Sequence, residues 1–90
     1  MSSRPAHLAF LILVPSPGNT SLTSQGGRDY RLSLATVSSV DAAVRLAREL
    51  TDQGVTAIEL SASFGDAGEA RVREAVGPSV KVGRVHYAAP

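Results

Sequence analysis

From Tyr30 to Tyr87 the apolar residues change period four times, alternating between every second residue and about every 3.6. Such a chain must fold as strand, helix, strand, helix, strand, with right-handed crossovers and parallel strands. Tyr30 to Val37 sets Leu32, Leu34 and Thr36 against Arg31, Ser33 and Ala35. Ser38 and Ser39 offer an N-cap, and Asp41 completes an S-x-x-D pattern from Ser38. Val40, Ala43, Val44, Ala47 and Leu50 then form one stripe, which predicts a helix over about residues 40–53. Asp41 with Arg45, and Arg45 with Glu49, are opposite charges one turn apart, and Gly54 suits the left-handed residue after a helix. Val55 to Ser61 reads as a strand with Ile58 and Leu60 on one face and Ala57 and Glu59 on the other. Asp66 and Glu69 predict the start of a second helix, Val72, Ala75 and Val76 its apolar stripe, and Gly77-Pro78 its end. Val80 to Tyr87 is the last strand, with Val80, Val82, Arg84 and His86 on one face.

Ahead of this unit, His7 to Val14 is apolar on both alternating faces, as in a central strand covered on both sides. Residues 15–29 are rich in Pro, Ser, Gly, Thr and Asn and are expected to form one long loop, with Gly26-Gly27-Arg28-Asp29 a turn into the next strand. Residues 1–6 and 88–90 read as tails of a single small domain spanning 1–90. The predicted fold is α/β, close to an α+β sandwich, in the order β-β-α-β-α-β. A four-stranded, largely parallel sheet would carry both helices on one face if its strands progress in one direction. Two helices leave the other face bare. With an apolar first strand, that face is expected to pack against another copy.

Size strengthens this expectation. Ninety residues with no Trp, two Phe and two Tyr must build an aliphatic core. Chains of this length bury only about 60–65% of their unfolded surface. Oligomerisation is the evident further source of burial.

Composition excludes several classes. A net charge of +1 argues against binding nucleic acid through phosphate neutralisation. The absence of cysteine removes disulfides, thiolate metal sites and a cysteine nucleophile. Leu8 to Val14 is far shorter than the ~20 residues needed to span a bilayer. It is read as a strand rather than as part of a signal peptide, and the expected compartment is the cytoplasm. Arg supplies eight of the nine basic residues, which together with the many Ala, Gly and Val suggests a GC-rich bacterial genome.

Ligands of parallel sheets bind beyond the carboxyl ends of the strands. Glu59, inside an apolar strand, is the most unusual residue. It reads either as a general acid or base with a raised pKa, or as a structural ion pair with Arg84 or with an Arg of another subunit. His86 can shuttle protons near neutrality or stand as an ordinary histidine near solvent. Ser61, Ser63, Phe64, Arg84 and Tyr87 are the candidate substrate contacts. The small residues from Ser61 to Gly68 open a helix and could admit an anion, but Asp66 and Glu69 oppose it and capping explains them better. Glu59, Asp66 and His86 lack a ligand spacing, so neither a metal nor another cofactor is expected.

The string Ala57-Ile58-Glu59-Leu60, followed by Phe64-Gly65 and Gly68, resembles a family of short bacterial proteins known only as a domain of unknown function. A helix ending at Gly54 precedes it and the strand Val82-Gly83-Arg84-Val85 follows. The resemblance covers about residues 7–87. It implies a small α/β oligomer and marks the stretch from Glu59 to Gly68. Its members often carry Cys-Gly-Gly where this chain has Ser61-Ala62-Ser63, so any role of a thiol there is absent. The family brings no activity with it.

The expected function is a cofactor-independent isomerase, lyase or cyclase that moves protons on a small carbonyl-containing metabolite at a subunit interface. Glu59 is the base, and His86 the acid or orienting partner. The alternative is a non-catalytic ligand-binding or structural homo-oligomer, or an accessory subunit of a larger enzyme.

Overall fold

The computed structural model describes residues 6–14 and 21–86. The elements are β1 (Ala6–Leu13), β2 (Ser21–Gly26), β3 (Tyr30–Val37), α1 (Val40–Asp52), β4 (Ala57–Leu60), α2 (Gly65–Val76) and β5 (Lys81–Arg84), with a 3₁₀ turn over Ala62–Phe64. They form a small α/β fold around one five-stranded mixed sheet of order β2-β3-β1-β4-β5. β1 pairs in parallel with β3 and β4, and β4 with β5, while β2 lies antiparallel to β3.

The expectation of four strands is therefore corrected to five. The extra strand comes from the expected long loop, whose second half, Ser21–Gly26, forms the edge strand β2. Gly27 closes the β2–β3 hairpin by donating its N–H to the Tyr30 carbonyl at 2.8 Å. A Cβ at Gly27 would meet the Tyr30 ring. The turn expected before β3 is thus present as a hairpin connection. Residues 1–5, 15–20 and 87–90, which include most of both expected tails, lie outside the described residues.

The chain passes from β3 through α1, across β1, to β4, and on through α2 to β5. Both crossovers progress in the same direction, so the same handedness sets both helices on one face. There Ala43, Leu46, Ala47 and Leu50 of α1 and Val72 and Val76 of α2 share a core with Ala9, Leu11, Ala35, Val37, Ile58 and Leu60. Small residues set the layer spacing. Gly68 faces Phe64 and Val40, where a Cβ would lie 3.3–3.4 Å from their atoms, so α2 can approach α1 closely.

The caps differ from the sequence pattern. Ser39, not Ser38, caps α1 by accepting from the Ala42 N–H. Asp41 pairs with Arg71 of α2 instead of completing a box. Asp66 does not cap α2, because the chain enters that helix through the 3₁₀ turn with Phe64 in the capping position. Gly77, at φ 76°, ends it as expected.

The face opposite the helices is uncovered. β3 turns Ser33, Ala35 and Val37 inward and leaves Leu32 and Leu34 outside. Leu8, Leu32, Leu34 and Tyr30 remain 44%, 39%, 43% and 53% exposed, with half-buried Phe10 and Ile12 between them.

Candidate functional site

Strand parity decides which chemical groups share a face. Register pairs Phe10 with Glu59 and Glu59 with Gly83. Parallel neighbours in register point the same way, so Glu59 stands on the open face beside Phe10. One row away, Leu8, Ala57 and Lys81 are aligned on that same face. Glu59 lies flat across β5, and a Cβ at Gly83 would sit 2.8 Å from its Oε2. Glycine at position 83 is what leaves room for this carboxylate.

These residues border a shallow depression of about 320 Å³ lined by Leu8, Ala57, Glu59, Lys81 and Gly83, with backbone of the intervening positions as its floor. Glu59 is exposed in the single chain and makes no hydrogen bond or ion pair among the described residues. The burial that made it look costly in the sequence is absent from the lone chain. Its expected partner is also elsewhere. Arg84 follows Gly83 and so points to the helix side. Its side chain, only 11% exposed, pairs with Asp66 through Nη2, and its Nε lies 3.2 Å from Glu69 Oε1 without hydrogen-bonding alignment. Glu69 also accepts from Arg73, which donates in turn to the Val82 carbonyl. Arg84 thus ties β5 to α2 and is not within reach of a ligand beside Glu59.

The serines act between strands. Leu13 N–H donates to Ser61 Oγ at 3.0 Å, and Ser63 Oγ donates to the Leu13 carbonyl at 2.8 Å. The two hydroxyl oxygens are 2.7 Å apart. Since Ser63 spends its proton on Leu13, Ser61 donates to Ser63 and a closed ring results. It clasps the carboxyl end of β1 to the loop after β4. Phe64 is buried in the core. His86 is exposed, three residues beyond Gly83 and past the end of β5, and is not brought against Glu59. Tyr87 lies outside the described residues. Asp66 and Glu59 are on opposite sides of the sheet, and no group of three or more potential metal ligands occurs among the described residues.

Two further features were not singled out in the sequence. Buried His7 shares a 3.0 Å hydrogen bond between Nε2 and Ser33 Oγ, and Ser33 Oγ is 3.0 Å from Ser24 Oγ of the edge strand. Burial, and then the positive charge of Arg31, hold the His7 pKa below 6.5. Part of the signal was present, since His7 and Ser33 each put a polar side chain into an otherwise largely apolar strand, whereas Ser24 lies in a polar segment. Linking them required the strand order. A larger groove, about 440 Å³, runs along α2 past Asp66, Glu69, Arg73 and Glu74. Asp66 and Glu69, however, are already taken by Arg84 and Arg73.

The model of DUF6506, a family of unknown function, matches residues 6–90. The chain belongs to this family. The match takes in every described element of the DUF6506 fold seen here, including the edge strand β2. No curated protein and no solved structure matches the chain. Among the described residues no helix is long and apolar enough to cross a membrane.

Proposed function

We propose that this chain functions as a homo-oligomer that packs its open sheet faces together and binds a small molecule in the Glu59 depression at that interface. The observation that carries the reading is the position of Glu59. A carboxylate without a partner among the described residues stands at the rim of an uncovered apolar face, beside a recess too shallow to enclose a ligand within one chain. A second copy would supply the missing wall. In that enclosed setting the carboxylate would accept a hydrogen bond from the ligand, while Leu8 and Phe10 supply apolar contact. No metal or other cofactor is needed for binding of this kind.

One observation favours a catalytic form of the same site. Glu59 makes no ion pair among the described residues, so its carboxylate is left available to take a proton from a ligand held at the closed interface, the role of a general base. Proton transfer on a small carbonyl compound, as in an isomerase, lyase or cyclase, is the reaction class this supports. Lys81 borders the same depression but makes no hydrogen bond or ion pair with Glu59 among the described residues, and His86 lies past the end of β5, so binding is the primary reading and catalysis the secondary one.

Sedimentation equilibrium at micromolar concentration, followed by a metabolite screen by thermal shift, tests the proposal. The expected result is an oligomer whose ligand-induced shift is lost in Glu59→Gln at a protein concentration where that variant is still associated. A folded monomer at 100 micromolar would overturn the reading.

A further inference from the structure

Resting on the reading that copies meet through the open face, we infer a specific pairing: a second copy lies across the sheet about a two-fold axis perpendicular to the strands, and its Lys81 completes the Glu59 site. The argument comes from two neighbouring rows of side chains. One row reads Leu32, Leu8, Ala57, Lys81 across β3, β1, β4 and β5, and the next reads Leu34, Phe10, Glu59, Gly83. Stacked faces related by a two-fold must have that axis in the plane between them, and the patch must complement itself.

With the axis set between the two rows, at the level of Ala9 and Ile58, each row falls on the other. Leu8 then meets the partner's Phe10, and Leu32 meets the partner's Leu34. Glu59 meets the partner's Ala57, and Lys81 meets the partner's Gly83. Each long charged side chain lies opposite a small residue, and the apolar residues lie opposite one another. Glu59 already covers its own Gly83, so the Lys81 amine of the second copy arrives at that carboxylate. Glu59 and Lys81 are the charged residues of these two rows, one of each sign, and the axis produces two such pairs. The other simple axis, along β1, sets β4 over the partner's β3 and presses Glu59 against the partner's Leu34. That arrangement buries a carboxylate without a partner and is disfavoured.

Charge reversal tests the pairing in the full-length protein, with folding checked by circular dichroism. Glu59→Lys and Lys81→Glu should each weaken self-association by about tenfold or more, and the double reversal should restore it to within a few-fold of the wild type. Should a reversal fail to fold, Glu59→Gln with Lys81→Met measures the same coupling by a double-mutant cycle. A dimer indifferent to either reversal, or a double reversal no better than the singles, overturns this pairing and leaves the homo-oligomer reading standing. A wild-type chain that stays monomeric overturns both.

Discussion

The Glu59 carboxylate lies over the backbone of Gly83 so closely that the Cβ of any other residue there would come within 2.8 Å of it. The two residues are register partners on adjacent parallel strands, so glycine on one strand determines where an acid on the other can lie.

Gly83→Ala should therefore displace a functional group while leaving the fold intact. The atom it crowds is the end of a flexible side chain, which can swing away. Stability should change by less than about 1 kcal/mol. Ligand binding and self-association should both weaken, because the carboxylate loses its resting place. Urea denaturation and sedimentation equilibrium on the same variant measure the two effects separately. An alanine variant with unaltered association would show that the position of Glu59 does not matter.

The elements with strong periodicity were legible in the sequence, and β3 was read to its observed ends. Two things were not. β2 could not be seen because an exposed edge strand needs no apolar alternation, and Ser21–Gly26 has none. The Glu59–Arg84 pairing failed on a single-residue question of register. Had Glu59 aligned with Arg84, both would share a face; aligned with Gly83, they are separated by the sheet. The alternation in β3 left open which half is inside, and the residues beneath the helices are Ser33, Ala35 and Val37 and not the leucines between them. Close packing of α1 favours small side chains there, and His7 and Ser24 give Ser33 its hydrogen bonds from two other strands.

The serine ring should behave as one unit. Ser61→Ala removes the acceptor for the partly buried Leu13 N–H, and Ser63→Ala removes the donor to the Leu13 carbonyl. Each change should destabilise by about 1 kcal/mol. The double variant should lose less than the sum, because either substitution already opens the ring. Equilibrium urea unfolding of the two single variants and the double variant gives the coupling directly, and strict additivity would argue against a closed ring.

His7 gives the fold a pH dependence of defined sign. Burial and Arg31 favour its neutral form in the folded chain, so below pH 6.5 the unfolded chain binds more protons than the folded one. Stability should then fall as pH drops through 6.5 toward the lowered folded value, and be level in this respect above it. His7→Gln keeps a polar side chain near Ser33 without titrating, and should flatten this part of the profile. Asp41 acts in a separate window: the hydrogen bond and charge of Arg71 hold its pKa below 3.8, so its contribution is present above that pH and lost below it. Unfolding free energies measured from pH 5 to 8 isolate the histidine effect. An unchanged slope in His7→Gln would assign it elsewhere.

Adjacent residues of β3 should respond in opposite ways, which separates core from interface. Ala35 is 1% exposed beneath the helices and Leu34 is 43% exposed on the bare face. Ala35→Leu adds three carbons to a packed layer and should destabilise the folded chain by roughly 1–3 kcal/mol at every protein concentration. Leu34→Ser removes a side chain that one copy leaves largely in water, so a dilute sample should change by about 0.5 kcal/mol or less. In a concentrated sample the loss should grow, because association stabilises only the folded state and this variant associates less. Thermal unfolding of both variants across a hundredfold range of concentration distinguishes these responses. If Leu34→Ser were equally destabilising at all concentrations, its side chain would be supporting the fold of the single chain, and the bare face would not be where copies meet.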